Sequence, residues 1–236
     1  MYKKKSILCL IPARAGSKGI KNKNLKRINK KSLTQITCEL CSRIKYIDNT
    51  VLSTDSLKLI KQIQKFKTIE IIKRPKYLSG DRIADIDLLI YNLKKIEEKN
   101  KKKYDFIIYL QPTSLGRTIN MINKFITKMV NSKVQAIWSV SKIDLKYHPY
   151  KVLKNTNKGN LCLFSNKGKN IIARQQLQSM FIRNGIFYGF SRNQILINKS
   201  IYAKEINYII TKNKNFNIDT MKQLEEARFY FKDNLL

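Results

Sequence analysis

The chain has 236 residues, with 48 Lys and Arg against 16 Asp and Glu, a formal net charge of +32. Such a charge points towards nucleic acid or an acidic membrane, yet lysine outnumbers arginine 38 to 10 and is dispersed along the chain, which A/T-rich codon bias explains better. At 43% hydrophobic and 10% aromatic, with only 8 Gly and 4 Pro, the chain is neither a disordered basic tail nor fibrous nor low-complexity.

Lys3, Lys4 and Lys5 precede an apolar run and imitate a signal peptide. The run from Ile7 to Ile11 is shorter than the roughly 7–15 residues of a signal core, and Pro12 ends it, so residues 6–11 (SILCLI) read as a buried strand. No apolar run reaches the roughly 18 residues that span a bilayer, and a cytoplasmic protein without a membrane partner is expected. After a loop rich in Gly, Lys and Asn, Ser32 and Gln35 have capping-box spacing and open a helix through Ile44. A strand over 50–53, a helix over 56–66 and a strand over 70–73 follow, the last closed by Arg74-Pro75. Residues 85–99 carry apolar and charged faces at helical spacing. Next come a strand over 105–110 (DFIIYL), a helix over 118–130 and a strand over 135–140. From about residue 141 to 182 the rhythm breaks into short pieces rich in Asn and Lys, which read as an insertion projecting from the sheet. It returns with a strand over 186–190, and Thr220 with Gln223 caps a last helix to about Phe231.

Continuously apolar strands alternating with helices predict one α/β domain over 1–236, a doubly wound, mostly parallel sheet with helices on both faces. The ligand crevice of such a sheet lies beyond the carboxyl ends of its strands. The loops after Ile11, Ser53, Lys73 and Leu110 should therefore line one site. Cys38 and Cys41 have CxxC spacing, but no second metal-binding pair follows, and the chain has one histidine. With Cys9 and Cys162, they read as reduced thiols acting as small hydrophobes.

The first loop carries the chemistry: Ile11-Pro12-Ala13-Arg14-Ala15-Gly16-Ser17-Lys18-Gly19-Ile20, then Lys21 to Leu25 (KNKNL). Glycines let the backbone approach a ligand, exposed N–H groups cradle anionic oxygens, and Arg14, Lys18 and Lys23 add fixed positive charge, a set that suits a triphosphate. Neither GxxxxGK[ST] nor GxGxxG is present, and in so lysine-rich a chain a solvated turn explains this loop, taken alone, about equally well.

IPARAGSKGI followed by KNL resembles the opening signature of the acylneuraminate cytidylyltransferases (CMP-sialic acid synthetases). Further blocks continue the resemblance in order: Ser53-Thr54-Asp55, Arg74-Pro75 with Asp81, Gln111-Pro112-Thr113-Ser114 with Arg117-Thr118, and His148-Pro149 with Lys151. Arg174-Gln175-Gln176-Leu177, Asn184-Gly185 with Tyr188, and Ile218-Asp219-Thr220 complete it.

The resemblance implies a Rossmann-like nucleotidyltransferase fold and a reaction in which the anomeric hydroxyl of a nonulosonic acid attacks the α-phosphorus of CTP. It implies nucleotide contacts at Ala13, Arg14, Ser17, Lys18, Lys23, Asn24, Arg74 and Asp85, and sugar contacts at Gln111, Lys151, Gln175, Asn184 and Tyr188. Arg174, Lys23 and Arg14 would carry catalysis, Mg²⁺ would sit at Asp219, and Arg117 would join the cations around the anionic substrates. The inserted region at 141–182 would reach a second subunit, giving a homodimer.

Departures from the family pattern fall around the site. Its two metal-binding aspartates become Asn217-Ile218-Asp219, so one carboxylate remains. Asp85 stands where a base-contacting serine is common, and its carboxylate could accept the cytosine amino protons. The nearest alternative, a 3-deoxy-manno-octulosonate cytidylyltransferase, typically lacks the form Ser17-Lys18-Gly19 with Lys23-Asn24-Leu25. A basic nucleic-acid-binding protein rests on charge alone and would cluster its cations with exposed aromatics.

Overall fold

The computed structural model describes residues 1–211 and 216–232. Strand β1 (Ile7–Pro12) leads through a small hairpin, β2 (Arg27–Ile28) and β3 (Lys31–Ser32), into helix α1 (Leu33–Ser42). Then follow β4 (Asn49–Thr54), α2 (Leu57–Ile63), β5 (Ile69–Lys73), α3 (Asp85–Asn100) and β6 (Phe106–Tyr109). After β7 (Ser114–Leu115), α4 (Ile119–Asn131) and β8 (Ala136–Lys142) comes a second hairpin, β9 (Leu153–Asn155) and β10 (Leu161–Leu163). The chain ends with β11 (Phe181–Ser191), α5 (Arg192–Leu196), β12 (Ile206–Ile210), β13 (Phe216–Asn217) and α6 (Met221–Tyr230).

Seven strands form the central sheet in the order β12-β8-β11-β6-β1-β4-β5. All its pairings are parallel except those of β11, which runs antiparallel to both β6 and β8. Alternation along β1 sets the layers. Ile7, Cys9 and Ile11 face α1, α2 and α4, while Leu8 and Leu10 face α3 and α5, and all five residues are fully buried. Both faces of the sheet are thus covered, as the unbroken apolar strands require. The chain moves outward from β1 through β4 and β5, then crosses back to β6 on the other side of β1. That reversal opens a crevice at the carboxyl ends of β1 and β6.

The capping boxes at Ser32–Gln35 and Thr220–Gln223 both form. Strand β11 is longer than the sequence rhythm suggests, beginning at Phe181, and it changes register between Arg183 and Tyr188 where Gly185 takes φ +71°. Edge strand β12 and the two-residue pair β7–β13 escape periodicity because they are too short to show it. Between Lys142 and Phe181 lie the β9–β10 hairpin and three 3-10 turns, with Leu153, Leu161, Phe164 and Ile172 exposed.

Cys9, Cys38 and Cys41 are free and buried, with the sulfurs of Cys9 and Cys41 3.6 Å apart. Burial pushes the Cys9 and Cys38 thiols well up, which keeps them unreactive. No described helix is long and apolar enough to cross a membrane.

Candidate active site

A cleft of about 470 Å³ opens at the crossover point, between the loops after β1, β5 and β6 and the start of α3. Its first wall is the loop leaving β1, which is pinned before any ligand arrives. Ala13 donates its N–H to the Ser53 carbonyl at 2.9 Å and accepts from Thr54 Oγ1 at 2.5 Å. The Ala15 N–H donates to Asp55 Oδ1 at 2.7 Å, and buried Asn24 donates from Nδ2 to the Arg14 carbonyl at 3.0 Å. The pinned loop presents Arg14, Ser17 and Lys18, and the 3-10 turn Lys23–Leu25 presents Lys23, along one side of the cleft.

Each of the three cations already holds a carboxylate. Arg14 and Lys18 take the two oxygens of Asp81, Lys18 at 3.0 Å. Lys23 Nζ lies 2.7 Å from Asp219 Oδ1. Hydrogen bonds from Arg14 and Lys18 hold the Asp81 carboxyl below the usual carboxylate range. Asp219 comes from the far end of the chain. The β7–β13 pair and the Ile218 N–H, donated to the Thr113 carbonyl at 2.9 Å, bring it across. The fit is close: a Cβ on Gly19 would stand 2.8 Å from the Asp219 carbonyl oxygen.

The opposite wall is a buried polar corner. Arg74, closing β5, donates from Nη2 to the Ser53 carbonyl at 3.1 Å, and its Nε has no partner. Burial lowers its pKa, opposed by the nearby Tyr109 and Asp55. At the start of α3, Asp85 accepts from the Tyr109 hydroxyl at 2.6 Å. Burial first, and the Asp85 charge next, push the Tyr109 phenol well above its ordinary value. Gln111, Pro112 and Thr113 form the floor after β6. Tyr188 on β11 is the register partner of Tyr109 and is half-buried.

The cleft thus gathers Arg14, Ser17, Lys18, Lys23, Asn24, Arg74, Asp85, Gln111 and Asp219. Other expected positions fall elsewhere. Arg117 is no phosphate ligand: fully buried, it donates from Nε to the Ile186 carbonyl at 2.7 Å and from Nη2 to the Gln111 carbonyl at 2.8 Å. Burial lowers its pKa to about 10. Ala13 anchors the loop from beneath. The Asn184 amide is committed within the sheet, accepting from Ser139 Oγ at 2.6 Å and donating to Ser141 Oγ at 2.9 Å and Thr211 Oγ1 at 2.7 Å. Lys151, Arg174 and Gln175 stand exposed on the insertion, outside the cleft of their own chain, and the charge of Arg174 is felt by Asp144. Sequence reasoning passed over Tyr109, because the last residue of an apolar strand looks like core until its hydroxyl is located.

Among the described residues no group of three or more His, Cys, Asp or Glu could hold a metal. Mg²⁺ shared with phosphate oxygens needs only one or two carboxylates. Asp219, exposed at the cleft beside Lys23, fits that requirement. Asn217 next to it donates from Nδ2 to the Asn184 carbonyl at 3.0 Å.

The fold has known counterparts. A CMP:2-keto-3-deoxy-manno-octonic acid synthetase complexed with CTP superposes with a TM-score of 0.69 at 17% identity, over 98% of this chain and all of that one. A 4-diphosphocytidyl-2C-methyl-D-erythritol synthase superposes with a TM-score of 0.67 at 12% identity, over 96% and 99%. In sequence, the chain is 28% identical to the post-translational flagellin modification protein B of Campylobacter coli, across 98% of this chain and 97% of the relative. It is also 28% identical to the CMP-N,N'-diacetyllegionaminic acid synthase of Campylobacter jejuni, across 94% of each. A pseudaminic acid cytidylyltransferase of the same species is 24% identical across 96% of this chain and 97% of its own. The sequence pattern of the Cytidylyltransferase family matches residues 8–234, nearly the whole length, and the chain belongs to that family of CTP-dependent nucleotidyltransferases.

Proposed function

We propose that the protein transfers CMP from CTP to the anomeric hydroxyl of a nonulosonic acid, giving the CMP-sugar and pyrophosphate. The observation that carries this reading is the convergence of Arg14, Lys18 and Lys23 on one cleft, facing a neutral floor at Gln111 that leaves room for an acceptor. The legionaminic and pseudaminic acid acceptors named for the two Campylobacter jejuni relatives support the class of acceptor. In the transfer, the sugar oxygen bonds to the α-phosphorus, the bond from that phosphorus to the bridging oxygen breaks, and the hydroxyl proton passes to solvent. Positioning and charge neutralisation supply the catalysis, so no nucleophilic side chain is required. Arg14, Lys18 and Lys23 hold the triphosphate and the departing pyrophosphate, and Asn24 keeps the Arg14 backbone in place. When bound at Asp219, Mg²⁺ supplies further neutralisation of phosphate charge.

Asp85 reads the base in this scheme. Tyr109 occupies one of its oxygens, and the other accepts the amino protons of cytosine, which uracil lacks. Asp85→Ala is expected to lower the CTP:UTP ratio of kcat/KM at least about tenfold, and an unchanged ratio would remove Asp85 from base recognition.

The protein acts as a homodimer in the cytoplasm. The insertion carries exposed Leu153, Leu161, Phe164 and Ile172, while Lys151, Arg174 and Gln175 are remote from their own cleft, a combination that fits insertion of this arm over a partner's site. CTP would be assayed with N-acetylneuraminic, legionaminic, pseudaminic and 3-deoxy-manno-octulosonic acids, with pyrophosphate release as the readout. Turnover with a nonulosonic acid is expected. Turnover with the octulosonic acid alone, or with none, would overturn the assignment.

A further inference from the structure

Arg183 stands at the rim of the sheet on the acceptor side. Because β11 is antiparallel to its neighbours, its first residues lie at the carboxyl ends of β6 and β8, the edge that bears the cleft. The nucleotide-holding groups come from the β1, β4 and β5 side, so an acceptor must approach from β11 and β8. There the Arg183 guanidinium carbon lies 5.0 Å from the ring centroid of Trp138 and 5.5 Å from that of Tyr202. Its Nη1 reaches the Tyr202 hydroxyl at 3.3 Å. Next to this stack comes Tyr188, whose ring meets Trp138 edge-on with centroids 6.1 Å apart and whose hydroxyl feels both Arg183 and Asp85.

Two features set this arginine apart. The three cations of the phosphate wall each hold a carboxylate, whereas Arg183, although exposed, pairs with none among the described residues. Its platform is also costly: Trp138 is buried with an indole N–H that has no acceptor. A phenylalanine would avoid that unsatisfied donor, so the position uses the face of the ring, and tryptophan is the strongest cation–π face. The two rings hold the guanidinium and the Tyr202 hydroxyl takes Nη1, which leaves the side fork of Nε and Nη2 without a hydrogen-bond partner among the described residues. Such a fork matches a carboxylate.

We propose that Arg183 binds the carboxylate of the acidic sugar and selects acids over their neutral derivatives. This rests on the acceptor class proposed above. The test uses Arg183→Met and Arg183→Lys beside the unaltered protein, each assayed with CTP and the free sugar acids or their C1 carboxamides. Calorimetric titration with the same sugars provides a readout that does not need turnover, and thermal melts check folding.

Arg183→Met is expected to raise the sugar KM about 10- to 100-fold, with the CTP KM and melting temperature little changed. It should also lose the preference for acid over carboxamide that the unaltered protein shows. Arg183→Lys, which keeps charge without the planar fork, should recover part of that preference. An unchanged sugar KM, equal losses for acid and carboxamide, or an equal rise in the CTP KM would overturn the proposal. Absence of turnover with acid binding that still depends on Arg183 would overturn the reaction and keep the carboxylate site. Absence of both turnover and acid binding would overturn both.

Discussion

The buried Tyr109 donates its hydroxyl to Asp85 at 2.6 Å on the wall of the cleft. Tyr109→Phe is therefore expected to destabilise the fold by about 1 kcal/mol, read as a shift in the urea midpoint at constant slope. It should also weaken discrimination between CTP and UTP, because the carboxylate loses the bond that orients it. A fall in stability with unchanged base preference would confine Tyr109 to packing. At this scale the sequence was legible where the chemistry is local. Arg14, Lys18 and Lys23 share one loop with Gly16 and Gly19, a set that reads as an anion site or as a solvated turn until the resemblance of the whole segment is added. Arg117 was misread because its partners, Gln111 and Ile186, are placed by the fold and not by its own neighbourhood. Arg183 and Tyr109 carried no local signal, since one looks like a surface cation and the other like core.

Helices α1, α2, α3, α4 and α6 were readable from caps and periodicity, and β1, β4, β5, β6 and β8 from unbroken apolar runs, whereas the five-residue α5 and the edge strand β12 were not. The direction of β11 was not, because antiparallel placement between two parallel strands depends on where the insertion returns the chain. Gly189 on β11 shows how closely α4 then packs. A Cβ there would meet Met129 Sδ at 2.6 Å and both Ile137 Cγ2 and Phe125 Cε1 at 2.9 Å. Gly189→Ala is expected to cost about 1–3 kcal/mol in denaturant unfolding, more than an exposed Gly16→Ala, whose added methyl meets nothing within 4 Å. Equal effects of the two substitutions would show that α4 yields without cost.

For the whole molecule, the end of the sheet away from the cleft is held by carboxylates. Asp48 accepts from the Ile7 N–H at 2.9 Å and from Lys102 at 3.0 Å, and Asp105 accepts from the Ser6 N–H at 2.9 Å. Burial alone would raise both pKa values, but these hydrogen bonds hold them below the ordinary 3.8. A depressed folded pKa means stabilisation that is complete above the unfolded value and lost as pH falls through the folded one. Acid unfolding should accordingly steepen below about pH 4, and Asp48→Asn should reduce that dependence; an unaltered acid profile would contradict this. Sedimentation should give twice the chain mass, and a fully active monomer would refute the proposed dimer. One further consequence concerns time. The anion loop near Gly19 is complete only when Asp219 packs against it, 200 residues later in the sequence. At roughly 5–20 residues per second of synthesis, the 200 residues between them take about 10–40 s to make, and for that time the nascent chain carries an unfinished phosphate wall.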